Sequence, residues 1–223
     1  MRDWIRRLSP RGEFFLVTFV AFAVVVATST YALFRGMRVY ELTTRRLVAG
    51  IIIEAAILLV AGWILRVRGW NFARLGLEFT PGGAIAGLPV MIAALLLYWF
   101  TALTVASIAP VHGRIDIIEF RWLAPLPLTI AYLILNSVYE ELLVTGYVVT
   151  ALEGDGVAYA ITASTLLRFV YHLYQGPVAA LSILPMGLLF ATVYRRGRSL
   201  WPLIVGHTLL NLLAVLAYGR QHA

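Results

Sequence analysis

The sequence predicts an all-α fold, a polytopic membrane helical bundle of about seven transmembrane helices, and three observations carry that expectation. The hydrophobic fraction is 61%, the charged fraction is 13% and the mean hydropathy is +0.86, whereas charged residues make up about 25% of ordinary soluble domains. Apolar stretches of the length needed to cross a hydrocarbon layer, about 20 residues, recur along the chain. The 18 lysine-plus-arginine residues are all arginine and lie mostly in clusters at the ends of those stretches, where they can meet anionic lipid headgroups. A chain of 223 residues has room for one such bundle, so 1–223 is read as a single membrane domain in a cell membrane.

Taken in order, the first apolar segment covers 14–34. It follows Arg2, Arg6, Arg7 and Arg11, as the core of a signal peptide would, but it exceeds the roughly 7 to 15 residues of such a core and no cleavage pattern follows. An uncleaved anchor is expected. The second segment covers 47–65, the third 83–109, the fourth 124–152, the fifth 157–174, the sixth 178–194 and the seventh 200–218. The last four are joined by short links at 153–156, 175–177 and 195–198, which favours antiparallel neighbours packed side by side. Counting flanking arginines puts the N-terminus on the inner side, although the link at 35–46 carries four arginines on the other side. Trp63, Trp70, Trp99, Trp122 and Trp201 fall near segment ends, as interfacial tryptophans do.

Composition also excludes function classes. The net charge of +7 does not indicate nucleic acid, because long apolar spans separate the arginines and prevent one continuous phosphate-binding face. The absence of cysteine removes disulfides, thiolate metal sites and a cysteine nucleophile. There is no G-x-S-x-G elbow, Walker loop or Rossmann fingerprint. A transporter or proton relay lacks the repeat or broken-helix pair that would support it.

The polar residues inside the apolar segments narrow the choice. Glu140 and Glu141 lie within 124–152, where each ionised carboxylate costs about 2.5 to 3.5 kcal/mol. On a regular helix Glu140 shares a face with Asn136 and Val144, and Glu141 with Ser137 and Thr145, so the two carboxylates point about 100° apart. One chemical and one structural glutamate is the expected division. Arg168 and His172 are four residues apart on one face of the fifth segment, with Thr165 on the same side, and Arg168 is the only arginine deep in a span. Its candidate partners are Glu140 and Glu141. His207 and Asn211 stand one turn apart in the seventh segment, where alone they would read as a bridge between helices. Glu54 reads as structural, able to pair with an arginine of the bundle. Gly83 and Gly87 form a G-x-x-x-G close-packing pattern.

Glu140 and Glu141 followed by Leu142, Leu143, Val144, Thr145, Gly146 and Tyr147, then Tyr171 to Gly176, then His207 to Asn211, resemble the motifs of the CPBP intramembrane proteases, the CAAX-protease and bacteriocin-processing family also called Abi. The resemblance makes 124–218 the catalytic helix bundle and 1–123 flanking helices. It implies a membrane-embedded endopeptidase acting on membrane-associated or C-terminal, CAAX-like peptides. Glu140 would activate water, His172 would share or orient that proton, and His207 and Asn211 would stabilise the oxyanion. Glu141 and Arg168 would be structural supports. No cofactor is expected on this reading. The alternative is zinc held by Glu140, His172 and His207, two histidines and a glutamate, although the H-E-x-x-H helix is missing.

The sequence departs from the family pattern twice. Thr145 stands where the first motif places an arginine, and Arg168 stands where the second places a phenylalanine. Arg168 is therefore expected to replace the missing cation, reaching Glu141 from the neighbouring helix. Without that contact, a non-catalytic binding or bacteriocin-immunity protein becomes the better reading. Depth adds a condition: His172 lies near the far end of its segment, so it joins a mid-membrane pocket only if the fifth helix tilts or dips.

Overall fold

The structure, a computed structural model, describes residues 1–35, 39–108 and 119–219. In chain order the elements are α1 (Arg2–Arg6), α2 (Pro10–Arg35), β1 (Val39–Leu42), α3 (Thr44–Val67), α4 (Pro81–Ile85), α5 (Gly87–Ile108), β2 (Glu119–Trp122) and α6 (Leu126–Glu140). A π-helical segment, Glu141–Tyr147, then leads into α7 (Val148–Leu152). Three more helices complete the fold: α8 (Val157–Tyr171), α9 (Pro177–Gly197) and α10 (Trp201–Gly219).

Five helical stretches are long and apolar enough to cross a membrane: Pro10–Arg35, Thr44–Val67, Pro81–Ile108, Leu126–Asp155 and Val178–Gly197. Val157–Tyr171 and Trp201–Ala217 are apolar but shorter. The seven expected segments thus resolve, among the described residues, into five full-length spans and two short helices. The last residue of the third expected segment, Ala109, lies outside the described residues.

Local chemistry sets the helix ends. Thr43 caps α3, its hydroxyl accepting the Arg46 N–H, and Thr80 does the same for α4 ahead of Pro81 at the first position, which satisfies amides that lack a partner in the first turn. Arg198 adopts a left-handed conformation (φ 49°) that stops α9. Its guanidinium bonds Glu153, and Thr150 bonds Tyr194 at 2.8 Å. These contacts bring the α7–α8 and α9–α10 turns to the same side. A two-stranded parallel pairing, Val39 with Glu119 through Leu42 with Trp122, joins two links that carry no strand pattern in the sequence.

Glycine permits the closest helix approach. A Cβ at Gly87 on α5 would lie 2.6 Å from Val205 Cβ on α10, and one at Gly206 would lie 2.9 Å from the Gly87 carbonyl. The G-x-x-x-G stretch therefore serves packing within the chain, through Gly87. A single apolar core runs through both halves, from Val17 and Phe22 on α2 and Leu65 on α3 to Leu143, Phe190 and Leu203.

The short α8 answers the depth condition. Its 15 residues rise about 22 Å, less than the roughly 30 Å hydrocarbon layer. The chain reverses at His172 and Gly176, where the Tyr174 amide donates to Ser29 Oγ on α2 at 2.9 Å. His172 thus closes a helix too short to cross that layer by itself.

Candidate active site

The site forms where α6, its π-helical continuation, α8 and α10 meet. In the regular helix expected from sequence, Glu140 and Glu141 diverge. Here the helix widens at Glu141 into a seven-residue π stretch, a distortion frequent at functional sites. Two neighbours accommodate it. Ser164 Oγ of α8 donates to the Val144 carbonyl at 2.8 Å, and Gly146 lets the Leu75 carbonyl and Leu200 side chain come close, a Cβ there lying 3.2 and 2.9 Å from them.

Arg168 joins the two carboxylates with opposite prongs of its fork. Nη2 donates to Glu141 Oε1 at 2.8 Å and Oε2 at 2.9 Å, while Nη1 donates to Glu140 Oε2 at 3.2 Å. Nη2 also reaches Thr145 Oγ1 at 3.2 Å, and that hydroxyl donates to Glu141 Oε2 at 2.8 Å. Two carboxylates starting from divergent Cβ positions can therefore share one guanidinium, because planar arginine presents several donors in a fixed fork. The Arg168 side chain is 1% exposed and lies over the Phe190 ring, 5.3 Å from its centroid.

The two glutamates differ in what they have left. Glu141 has no exposed side-chain surface, and both of its oxygens accept hydrogen bonds from Arg168, with Oε1 also bonded by His207 Nδ1 at 2.8 Å. Glu140 keeps 9% of its side chain exposed. Its Oε2 accepts from Arg168 and from Tyr171 Oη, the latter at 2.6 Å, while its Oε1 has no hydrogen bond among the described residues.

Both histidines are oriented through Nδ1. His172 Nδ1 lies 2.8 Å from the Arg168 carbonyl; a carbonyl only accepts, so this nitrogen carries the proton. His207 Nδ1 faces the Glu141 carboxylate and donates likewise. In each neutral ring Nε2 is then a bare lone pair. Asn211, one turn beyond His207, is half-buried and its amide makes no side-chain hydrogen bond among the described residues. Glu54 bonds the Asn136 amide at 2.9 Å, so its partner is an amide, where an arginine was expected.

The expected zinc donors do not come together. Glu140, Glu141 and His207 each offer a ligand atom within 4.8 Å of the others, and His172 is not in that group. Within it, Glu141 is already saturated by hydrogen bonds, and a guanidinium lies on both carboxylates. A metal ion would compete with Arg168 for the Glu141 oxygens, and His172 stands outside the group, so the set of two histidines and one glutamate does not gather as zinc donors.

Tyr171 and Phe22 are the participants that sequence reasoning passed over. Tyr171 sits three residues after Arg168, hence on the same helical face, and that spacing was the available signal. Phe22, on α2, stacks on Tyr171 with centroids 5.8 Å apart and planes at 9°; nothing in the sequence pairs these rings.

In comparison with protein families, residues 122–213 fit the family model described as type II CAAX prenyl endopeptidase, Rce1-like. No curated protein and no solved structure matches the chain. The matched stretch begins at the end of β2 and runs into α10, and it contains both glutamates, Arg168, Tyr171, both histidines and Asn211. The chain is a multi-pass membrane protein, and over these residues it is similar to the Rce1-like family of CAAX prenyl endopeptidases.

Proposed function

We propose that this protein is a membrane-embedded endopeptidase that hydrolyses a peptide bond in membrane-associated or C-terminal, CAAX-like peptides, with Glu140 as the base that activates water. The observation that carries this reading is the asymmetry of the glutamate pair. Glu141 is sealed and fully bonded, whereas Glu140 retains a free oxygen and some exposure.

In the proposed sequence, Glu140 takes a proton from water as the water oxygen attacks the scissile carbonyl carbon. The bare Nε2 of His172 orients that water or shares its proton. The oxyanion is met by the Asn211 amide and by His207, which can donate from Nε2 as the imidazolium because its Nδ1 proton is already engaged by Glu141. That added positive charge would balance two carboxylates against Arg168 and His207, a neutral set suited to a low-dielectric interior. The proton held by Glu140 then passes to the leaving amine as the C–N bond breaks. The crowding of Arg168 onto the carboxylates favours this metal-free course. The short helices α8 and α10 complete, in this reading, a bundle of about seven membrane helices.

The test compares wild type with Glu140→Gln, purified in detergent and supplied with a prenylated CAAX-type reporter peptide. Cleavage should fall by about 10²- to 10⁴-fold, the usual contribution of a general base, with the folded fraction unchanged, and a strong chelator should leave the wild-type rate unaltered. Full cleavage by Glu140→Gln would refute the role of Glu140. Loss of activity with chelator that zinc restores would refute the metal-free course.

A further inference from the structure

Tyr171 is buried, 3% exposed, and its hydroxyl makes the shortest contact to Glu140, 2.6 Å to Oε2. Arg168 touches the same oxygen at 3.2 Å but spends its closer bonds on Glu141. Both donors thus converge on Oε2, and Oε1 receives neither. A glutamate side chain ends in a broad, nearly two-fold torsion, so a carboxylate held at one oxygen by two donors has its other oxygen aimed by default.

The ring that delivers this hydroxyl is itself fixed. Phe22 of α2 stacks on one side, and the His172 ring lies 4.5 Å away, centroid to centroid. Phe22 also packs against Tyr139, whose hydroxyl bonds the Ala21 carbonyl. A neutral phenol suits the task chemically. It orients a carboxylate without cancelling the charge that a base needs, whereas a second guanidinium would neutralise it.

We infer that Tyr171 is a positioning residue for Glu140: it clamps Oε2, with Phe22 bracing its ring from α2, so that Oε1 is the atom that takes the proton from water. This rests on the reading of Glu140 as the base. It also gives α2 a part in the chemistry, although α2 supplies no atom to the reaction.

The test uses the full chain in detergent and the same prenylated reporter, with Tyr171→Phe, Glu140→Gln and the double variant. Tyr171→Phe keeps the stacked ring and removes only the hydroxyl. It should lower kcat by about ten- to a hundredfold, the scale of a misplaced catalytic group, with KM within about twofold, and the double variant should be no slower than Glu140→Gln alone. Thermal unfolding of the four proteins should show non-additive shifts in Tm, because Tyr171→Phe removes this bond and Glu140→Gln replaces its charged acceptor with a neutral amide. Phe22→Leu, which loosens the brace and touches no polar atom, should reduce kcat in wild type but not further in Tyr171→Phe. An unchanged kcat in Tyr171→Phe, a loss confined to KM, or additive Tm shifts would overturn the assignment while leaving Glu140 as the base. Cleavage that survives Glu140→Gln would overturn both.

Discussion

Moving the buried cation from α8 to the π-helical stretch is the most demanding test of the charge cluster. Arg168 makes two bonds to Glu141, one to Glu140 and one to Thr145, from a side chain that is 1% exposed. Arg168→Ala leaves two adjacent carboxylates without their counter-charge, and removing one partner of a buried pair costs about 3–5 kcal/mol. Thr145→Arg alone forces a large second cation into a fully buried position beside the first, which adds about 1–3 kcal/mol of overpacking before any like-charge repulsion. If the effects were independent, the double variant would lose about 4–8 kcal/mol, comparable with the whole stability of a typical domain.

The structure argues for a different outcome. Thr145 Oγ1 lies 2.8 Å from Glu141 Oε2, so an arginine at 145 starts next to the same carboxylate, and the space vacated at 168 can take its guanidinium. The double variant should therefore recover most of the loss, to within about 2 kcal/mol of wild type. Thermal and denaturant unfolding of the four purified proteins measures this directly, with cleavage of the reporter peptide as a second readout. A double variant no more stable than the weaker single one would refute the idea that the cluster requires one cation and is indifferent to the helix that supplies it. A fully stable Arg168→Ala would refute the cluster's energetic importance altogether.

Two further outcomes follow from other parts of the molecule. Asn211→Ala should reduce kcat by about 10²- to 10³-fold, as loss of an oxyanion donor does, with little change in Tm because the amide has no side-chain hydrogen bond to lose among the described residues; an equal loss of stability would mark Asn211 as a structural bridge. Gly87→Ala should destabilise by about 1–3 kcal/mol in thermal unfolding, because its Cβ would meet Val205, whereas Gly62→Ala, with nothing within 4 Å of the added carbon, should be neutral or slightly stabilising.

The spans were legible because hydropathy depends on local composition alone, and the five long helices follow the apolar runs closely. The contact of Arg168 with Glu141 could be anticipated from charge: one arginine and two carboxylates in a low-dielectric bundle have few other partners. What the sequence did not reveal depends on tertiary partners. The π stretch at Glu141–Tyr147 is accommodated by Ser164 from another helix and by Gly146 under Leu75 and Leu200, and no local propensity marks it. The contact of Tyr171 with Glu140 was hidden because the two residues are 31 positions apart in sequence. The parallel strand pair joins segments 80 positions apart, each too short to show a period. Glu54 reads as structural and able to pair with an arginine on charge alone; Asn136, one turn before Glu140, supplies an amide donor.

The pair of glutamates makes physical sense as a division of charge compensation. A single carboxylate facing Arg168 in a dry interior would be held by the full fork and lose its basicity to the ion pair. With two, Glu141 absorbs the bidentate contact together with Thr145 and His207, and Glu140 receives only the longer, single bond. Glu140 thus touches the cation without being held by its full fork, and the neutral Tyr171 supplies the remaining restraint. The same division explains why the cation can come from α8. Its main bonds are to Glu141, which has no exposed surface and no proposed chemical task, so the direction of approach matters to stability while Glu140 Oε1 keeps no hydrogen bond among the described residues.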